Sequence, residues 1–134
     1  MQSTSPLPAE TVIGDEGLVL LNGQARLAVR LPWYRSLPLS VIEIEALSVD
    51  AEMIDLDGVR FELDGQAWLL AELKDATDHF WFVLDSAFLV WPQGSLQPGR
   101  ESAVSVNIAV NPPYIPGLRR SNPQTAILTV KQEA

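Results

Sequence analysis

Cysteine is absent from the 134-residue chain. Disulfides, thiolate metal sites and a cysteine nucleophile are therefore excluded. Histidine is nearly absent, with His79 the single example. Basic residues are also few. Nine Lys and Arg face seventeen Asp and Glu, for a formal net charge of −8. Such a chain gains nothing from counterion release and offers no basic stripe, which argues against nucleic acid as a partner. An anionic membrane surface is disfavoured for the same reason, and the negative charge is read as a source of solubility. Long hydrophobic runs are missing too. The longest, such as Phe80 to Leu84 and Ala87 to Trp91, are far too short to span a bilayer. The first ten residues, MQSTSPLPAE, hold polar residues and two prolines but no basic or apolar region of a signal peptide. Residues 1–10 are expected to form a mobile arm, and the protein is expected to be soluble and cytoplasmic.

What the chain does have is strand patterning. Apolar residues make up 47% of it and charged residues 19%, which suits a folded domain rather than a disordered segment. Leu27, Val29 and Leu31 alternate with Arg26, Ala28 and Arg30, the period of a half-buried strand. From Val41 to Asp50 the apolar positions begin at Ile42 and Ile44, then change phase at Ala46 and continue at Leu47 and Val49. A phase change inside a strand-like run predicts a bulge or bend. Val59, Phe61 and Leu63 alternate with charged residues up to Asp64-Gly65, which reads as a hairpin turn returning through Gln66 to Leu70. Val104, Val106, Ile108 and Val110 share one face, as do Ala126, Leu128 and Val130. Asn22-Gly23, Asp57-Gly58, Gln93-Gly94 and Pro98-Gly99 add further turns. Only Ala71 to Ala76 has room for a helical turn. The expectation is an all-β protein, an antiparallel β-sandwich formed by residues 11–134 as a single domain.

Catalytic constellations are hard to find. His79 lies in a polar segment, Asp75 to Phe80, without a nucleophile at a recognisable spacing, and reads as an ordinary loop histidine. Asp50, Glu52, Asp55 and Asp57 are close in sequence, but Met53, Ile54 and Leu56 interrupt them and no calcium-loop spacing results. They read as a solvated rim. No nucleophile elbow, dinucleotide fingerprint or phosphate loop occurs. No catalytic residue and no metal ligand is assigned to the chain. Two segments stand out instead. Arg30 to Ser40 leaves a strand and carries Trp33, Tyr34 and Arg35, which are read as exposed and are the residue types enriched at binding hot spots. The alternative is that Trp33 and Tyr34 cap the end of the core. Asn111 to Gly117 holds three prolines that stiffen it, together with Tyr114, Ile115 and Pro116.

These segments resemble the small β subunits of bacterial C-glycoside deglycosidases. The resemblance is carried by Arg30-Leu31-Pro32-Trp33-Tyr34-Arg35, Val49-Asp50-Ala51-Glu52, Val59-Arg60-Phe61, Leu96 to Gly99 and Tyr114-Ile115-Pro116, in the family's order. Trp33 stands where the family has Tyr, Ser36 and Ala51 where it has Gly, and Arg100 where His is common. The resemblance implies an accessory chain, holding no cofactor itself, in a heteromeric carbon–carbon lyase. Its partner would be an α subunit with a TIM-barrel fold, a divalent metal such as manganese and the catalytic histidine. The implied substrate is a 3-oxo-C-glycoside with a flavonoid-type aglycone. Trp33, Tyr34, Arg35, Tyr114, Ile115 and Pro116 are expected to face partner or substrate. The competing function is a stand-alone carbohydrate-binding sandwich that uses Trp33 and Tyr34 as a stacking platform.

Overall fold

A computed structural model of the chain describes residues 12–133. The arm expected over residues 1–10 lies outside the described residues. The chain begins with β1 (Ile13–Leu21) and β2 (Gln24–Arg30), joined by Asn22 and Gly23. Both turn residues have positive φ, 53° and 77°, the conformation of a two-residue turn that matches strand twist and favours Asn-Gly. Next come β3 (Leu37–Pro38), β4 (Ile42–Val49) and β5 (Glu52–Met53). The Asp64-Gly65 hairpin joins β6 (Arg60–Leu63) to β7 (Gln66–Leu69) as its sequence predicts. A six-residue 3₁₀ segment, Leu70–Asp75, follows where the sequence allows a helical turn. The remaining strands are β8 (Phe80–Trp81), β9 (Ser86–Pro92), β10 (Glu101–Val110), β11 (Arg120–Thr129) and β12 (Lys131–Gln132).

These strands form a six-stranded sheet in the order β12-β1-β2-β9-β6-β7 and a four-stranded sheet in the order β11-β10-β4-β5. A two-stranded pair, β3 with β8, lies beside them. All pairs are antiparallel except β1 with β12, which run parallel. Inward residues of both sheets meet in one apolar cluster. Leu18, Leu27, Phe61 and Leu89 come from one sheet, and Leu47, Val104, Val106 and Ile108 from the other. Trp81 and Phe61 are fully buried and meet edge to face, with ring centroids 5.2 Å apart. Each large side chain so buried contributes about 1.5–3 kcal/mol of transfer free energy.

The phase change expected at Ala46 is present. Asn107 pairs with Ala46 while Ile108 pairs with Ile44, so Glu45 is the extra residue of a bulge. Ile42, Ile44, Leu47 and Val49 can therefore all point inward. On the opposite edge of that sheet, β11 keeps a full ten-residue register with β10. Pro123 sits in the middle of β11. Next to it, the Gln124 side-chain oxygen accepts the backbone N–H groups of Val12 and Ile13, tying the start of β1 to the other sheet.

Candidate functional site

The two standout segments leave the same end of the sandwich. Arg30 at the end of β2 pairs with Ser86, and Val110 at the end of β10 pairs with Ile42 and Arg120. The loop after β2 then brings Trp33, Tyr34 and Arg35 against the loop after β10. Trp33 corrects the exposed reading. It is only 7% exposed and belongs to the core cluster, whereas Tyr34 is 60% exposed. The cause is the turn at Leu31 and Pro32, both buried, which sends the indole back over the end of the sheets. The Trp33 Nε1–H donates to the Tyr114 hydroxyl at 2.5 Å, so the one polar atom of the ring is satisfied at the surface.

Three further contacts complete the cluster. The rings of Trp33 and Tyr34 have centroids 5.0 Å apart and are tilted by 43°. The Arg35 guanidinium carbon lies 4.8 Å from the centre of the Tyr114 ring, a cation–π distance. The Tyr114 hydroxyl in turn donates to that of Tyr34 at 3.4 Å. The hydroxyls ionise as a pair. Its hydrogen bond with Tyr114 pushes Tyr34 above the usual phenol range. Partial desolvation pushes Tyr114 up, but its hydrogen bonds with Tyr34 and Trp33 and the Arg35 charge outweigh this, and its net shift is downward.

Ile115 and Pro116 complete the second loop and are exposed. The loop is fixed by short-range hydrogen bonds, Ile115 N–H to Pro112 O at 3.1 Å and Leu118 N–H to Ile115 O at 3.2 Å. Asn111 N–H to Val41 O anchors it to the start of β4. Sequence reasoning gave no signal for two other ties. Ser36 Oγ accepts the Val83 N–H at 3.1 Å, a bond that a glycine at this position has no atom to make. Arg119 reaches across to both Glu43 and Glu45. Its donation holds the Glu43 carboxyl below the usual range, and Ser121 followed by Arg119 does the same for Glu45.

The remaining candidates stand apart. His79 packs its ring edge-on to Trp68 at 5.1 Å and its backbone oxygen accepts from Leu39, as an ordinary loop histidine does. Asp50, Glu52, Asp55 and Asp57 are exposed. Among the described residues no three His, Cys, Asp or Glu side chains form a set able to hold a metal ion. Asp50 and Arg100 line a cavity of about 220 Å³ with Trp91 and Leu96. It lies at the far end of the sandwich, where Gln24 pairs with Pro92 and Val49 with Val104. A ten-residue strand such as β10 spans about 33 Å, so the quoted sequence elements occupy two ends and not one site. No helix of the described residues is long and apolar enough to cross a membrane.

The Trp33–Tyr34–Arg35–Tyr114 cluster brings together two phenols, a guanidinium and a buried indole. Hydrogen bonds and the cation–π contact tie these groups together, and a stacking platform is disfavoured because the Trp33 ring is committed to the core. Comparisons with known proteins agree with a subunit role. A family model described as C-glycoside deglycosidase beta subunit matches residues 23–114, a span that runs from the β1–β2 turn to Tyr114. The 3'-dehydrocarminate deglycosidase beta subunit of a Microbacterium species is 36% identical over 107 residues, 80% of each chain. A C-glycoside deglycosidase beta subunit of Arthrobacter globiformis is 36% identical over 107 residues, covering 80% of this chain and 82% of its own. One from Microbacterium trichothecenolyticum is 35% identical over 104 residues, 75% of this chain and 77% of its own. The chain belongs to the C-glycoside deglycosidase beta subunit family.

Proposed function

We propose that the chain is the accessory subunit of a heteromeric C-glycoside deglycosidase, and that its Tyr34–Arg35–Tyr114 end docks on the catalytic partner near the mouth of the active site. The observation that carries this reading is the joining of two loops 80 residues apart into one exposed, hydrogen-bonded aromatic–arginine surface. Family membership supplies the partner, because a β subunit acts with another subunit. The partner is proposed to be a metal-binding TIM barrel that holds a divalent ion such as manganese and the catalytic histidine. The donor set of the described residues here, one His and no three convergent His, Asp or Glu side chains, supports placing those groups elsewhere.

The reaction proposed for the complex is an elimination. A keto group at the sugar 3-position acidifies the neighbouring C2–H. A base removes that proton, the C1–C2 double bond forms, and the C1–aglycone bond breaks as its electron pair leaves with the aglycone carbon, which is then protonated. The metal ion, when bound in the partner, supplies Lewis acidity to the 3-keto oxygen. One relative is named for 3'-dehydrocarminate, which supports an oxidised sugar as substrate; a flavonoid-type aglycone is proposed for this chain. In this scheme Trp33 is a positioning residue that holds the Tyr114 hydroxyl. Tyr34, Arg35, Ile115 and Pro116 meet the partner. The test is co-expression with the partner barrel, followed by co-purification and turnover of a 3-oxo-C-glycoside. Arg35→Ala and Tyr114→Ala are expected to lower both, and normal assembly with normal turnover in the Arg35→Ala/Tyr114→Ala double variant refutes the docking role.

A further inference from the structure

Residues 80–84 read Phe-Trp-Phe-Val-Leu, with Phe80 and Trp81 in β8 and the rest in a turn that Asp85 N–H closes onto Phe82 O. Trp81 is fully buried and Val83 half-buried. Phe80, Phe82 and Leu84 are 45%, 56% and 83% exposed. On β4, by contrast, the outward positions are Glu43 and Glu45. Isolated exposed apolar residues need no explanation, but three within five residues form a contiguous patch of the kind that marks an interaction surface.

The segment is held rigidly. Leu37 and Pro38 pair with Trp81 and Phe80. Ser36 fixes Val83, Asp85 N–H donates to Phe82 O at 2.9 Å, and Trp81 Nε1–H donates to Asp85 O at 2.9 Å. A patch fixed before binding loses little entropy on docking. Ser36 directly follows Arg35, so the patch continues from the Tyr34–Tyr114 cluster. Phe80 and Phe82 also wall a cleft of about 240 Å³ with Trp68 at its side and Asp64 and Asp78 at its rim.

We infer that Phe80, Phe82 and Leu84 form a second docking surface for the partner subunit, and that the cleft receives an apolar partner side chain flanked by a Lys or Arg. The inference rests on the β-subunit reading above. The acidic rim calls for a basic counterpart, which a second copy of this chain, with its net charge of −8, is poorly placed to offer. A two-fold contact between copies would set the rim carboxylates of one against those of the other.

The experiment measures Kd between the full chain and its co-expressed barrel subunit, for wild type and three variants. Phe82→Ser/Leu84→Ser is expected to weaken binding by about tenfold or more, as loss of buried anchors does. Leu84→Asp changes only the most exposed of the three positions and is expected to act in the same direction without loss of fold. Asp64→Lys/Asp78→Lys is expected to slow association and invert its salt dependence. Unchanged affinity in the serine pair and in Leu84→Asp, alongside weakened binding in Arg35→Ala, overturns this inference and leaves the proposed function standing. Failure of the wild type to bind the barrel subunit overturns both. Self-association of the wild type that the serine pair abolishes makes a second copy the occupant and also overturns it.

Discussion

Replacing Trp33 by Ala separates a core cap from a recognition platform. The indole is 7% exposed, lies in the apolar cluster and holds one hydrogen bond, to Tyr114. Removing a buried aromatic side chain costs about 3–5 kcal/mol. Trp33 closes the end of the sheets, where water can enter the vacated space, so the lower figure of about 3 kcal/mol applies. Unfolding entropy of about 2.1 cal/mol/K per residue gives roughly 0.28 kcal/mol/K for the chain, so Tm is expected to fall by about 10 °C. The assay is thermal unfolding followed by circular dichroism, with Tyr34→Ala as the exposed control. The control is expected to stay within about 2 °C of wild type. A fall below about 3 °C for Trp33→Ala refutes the core role and returns the ring to the exposed reading.

Other outcomes follow from the same geometry. Ala51 has φ +69°, in the left-handed region that costs an L-residue about 1–2 kcal/mol. Ala51→Gly removes that strain at some cost in unfolded-chain entropy, and Tm is expected to rise by about 2–3 °C. Glu43 and Glu45 have depressed pKa values in the fold. Their contribution is therefore present above the ordinary carboxylate pKa of 4.5 and lost as pH falls through the lower folded values. Tm of the wild type and of Arg119→Ala is expected to differ at pH 7 and to converge in acid, and a constant difference across that range would contradict the pairing. Arg35→Ala/Tyr114→Ala is expected to impair assembly with the partner while leaving the isolated chain folded by circular dichroism.

The strands were legible where period and turn chemistry agreed. The Ala46 phase change became a register shift, and Asn22-Gly23 and Asp64-Gly65 became hairpins. β1 was not legible: its pairing with β2 is interrupted between Ile13 and Leu18, which breaks the alternation that marks a strand. Trp33 was left between an exposed and a core-capping role because a loop has no alternation to mark its inward side. The contact of Trp33 with Tyr114 has no local signal at all, since 81 residues separate the two. Only the assembled ends of two sheets bring them together. Ser36 and Ala51 stand where the family has Gly. In the fold Ser36 adds a tie to Val83, and Ala51 accepts the backbone conformation a glycine prefers.

Pro123 bears on how the protein avoids unwanted company. β11 is a ten-residue edge strand with Ile127 largely exposed, the kind of rim onto which a stray chain adds as another strand. Proline offers no N–H to such a chain. The neighbouring Gln124 spends its side-chain oxygen on Val12 and Ile13, which draws the other sheet across this side. The long edge is thereby closed to β-augmentation at its middle. Indiscriminate sheet extension is thereby disfavoured along this edge.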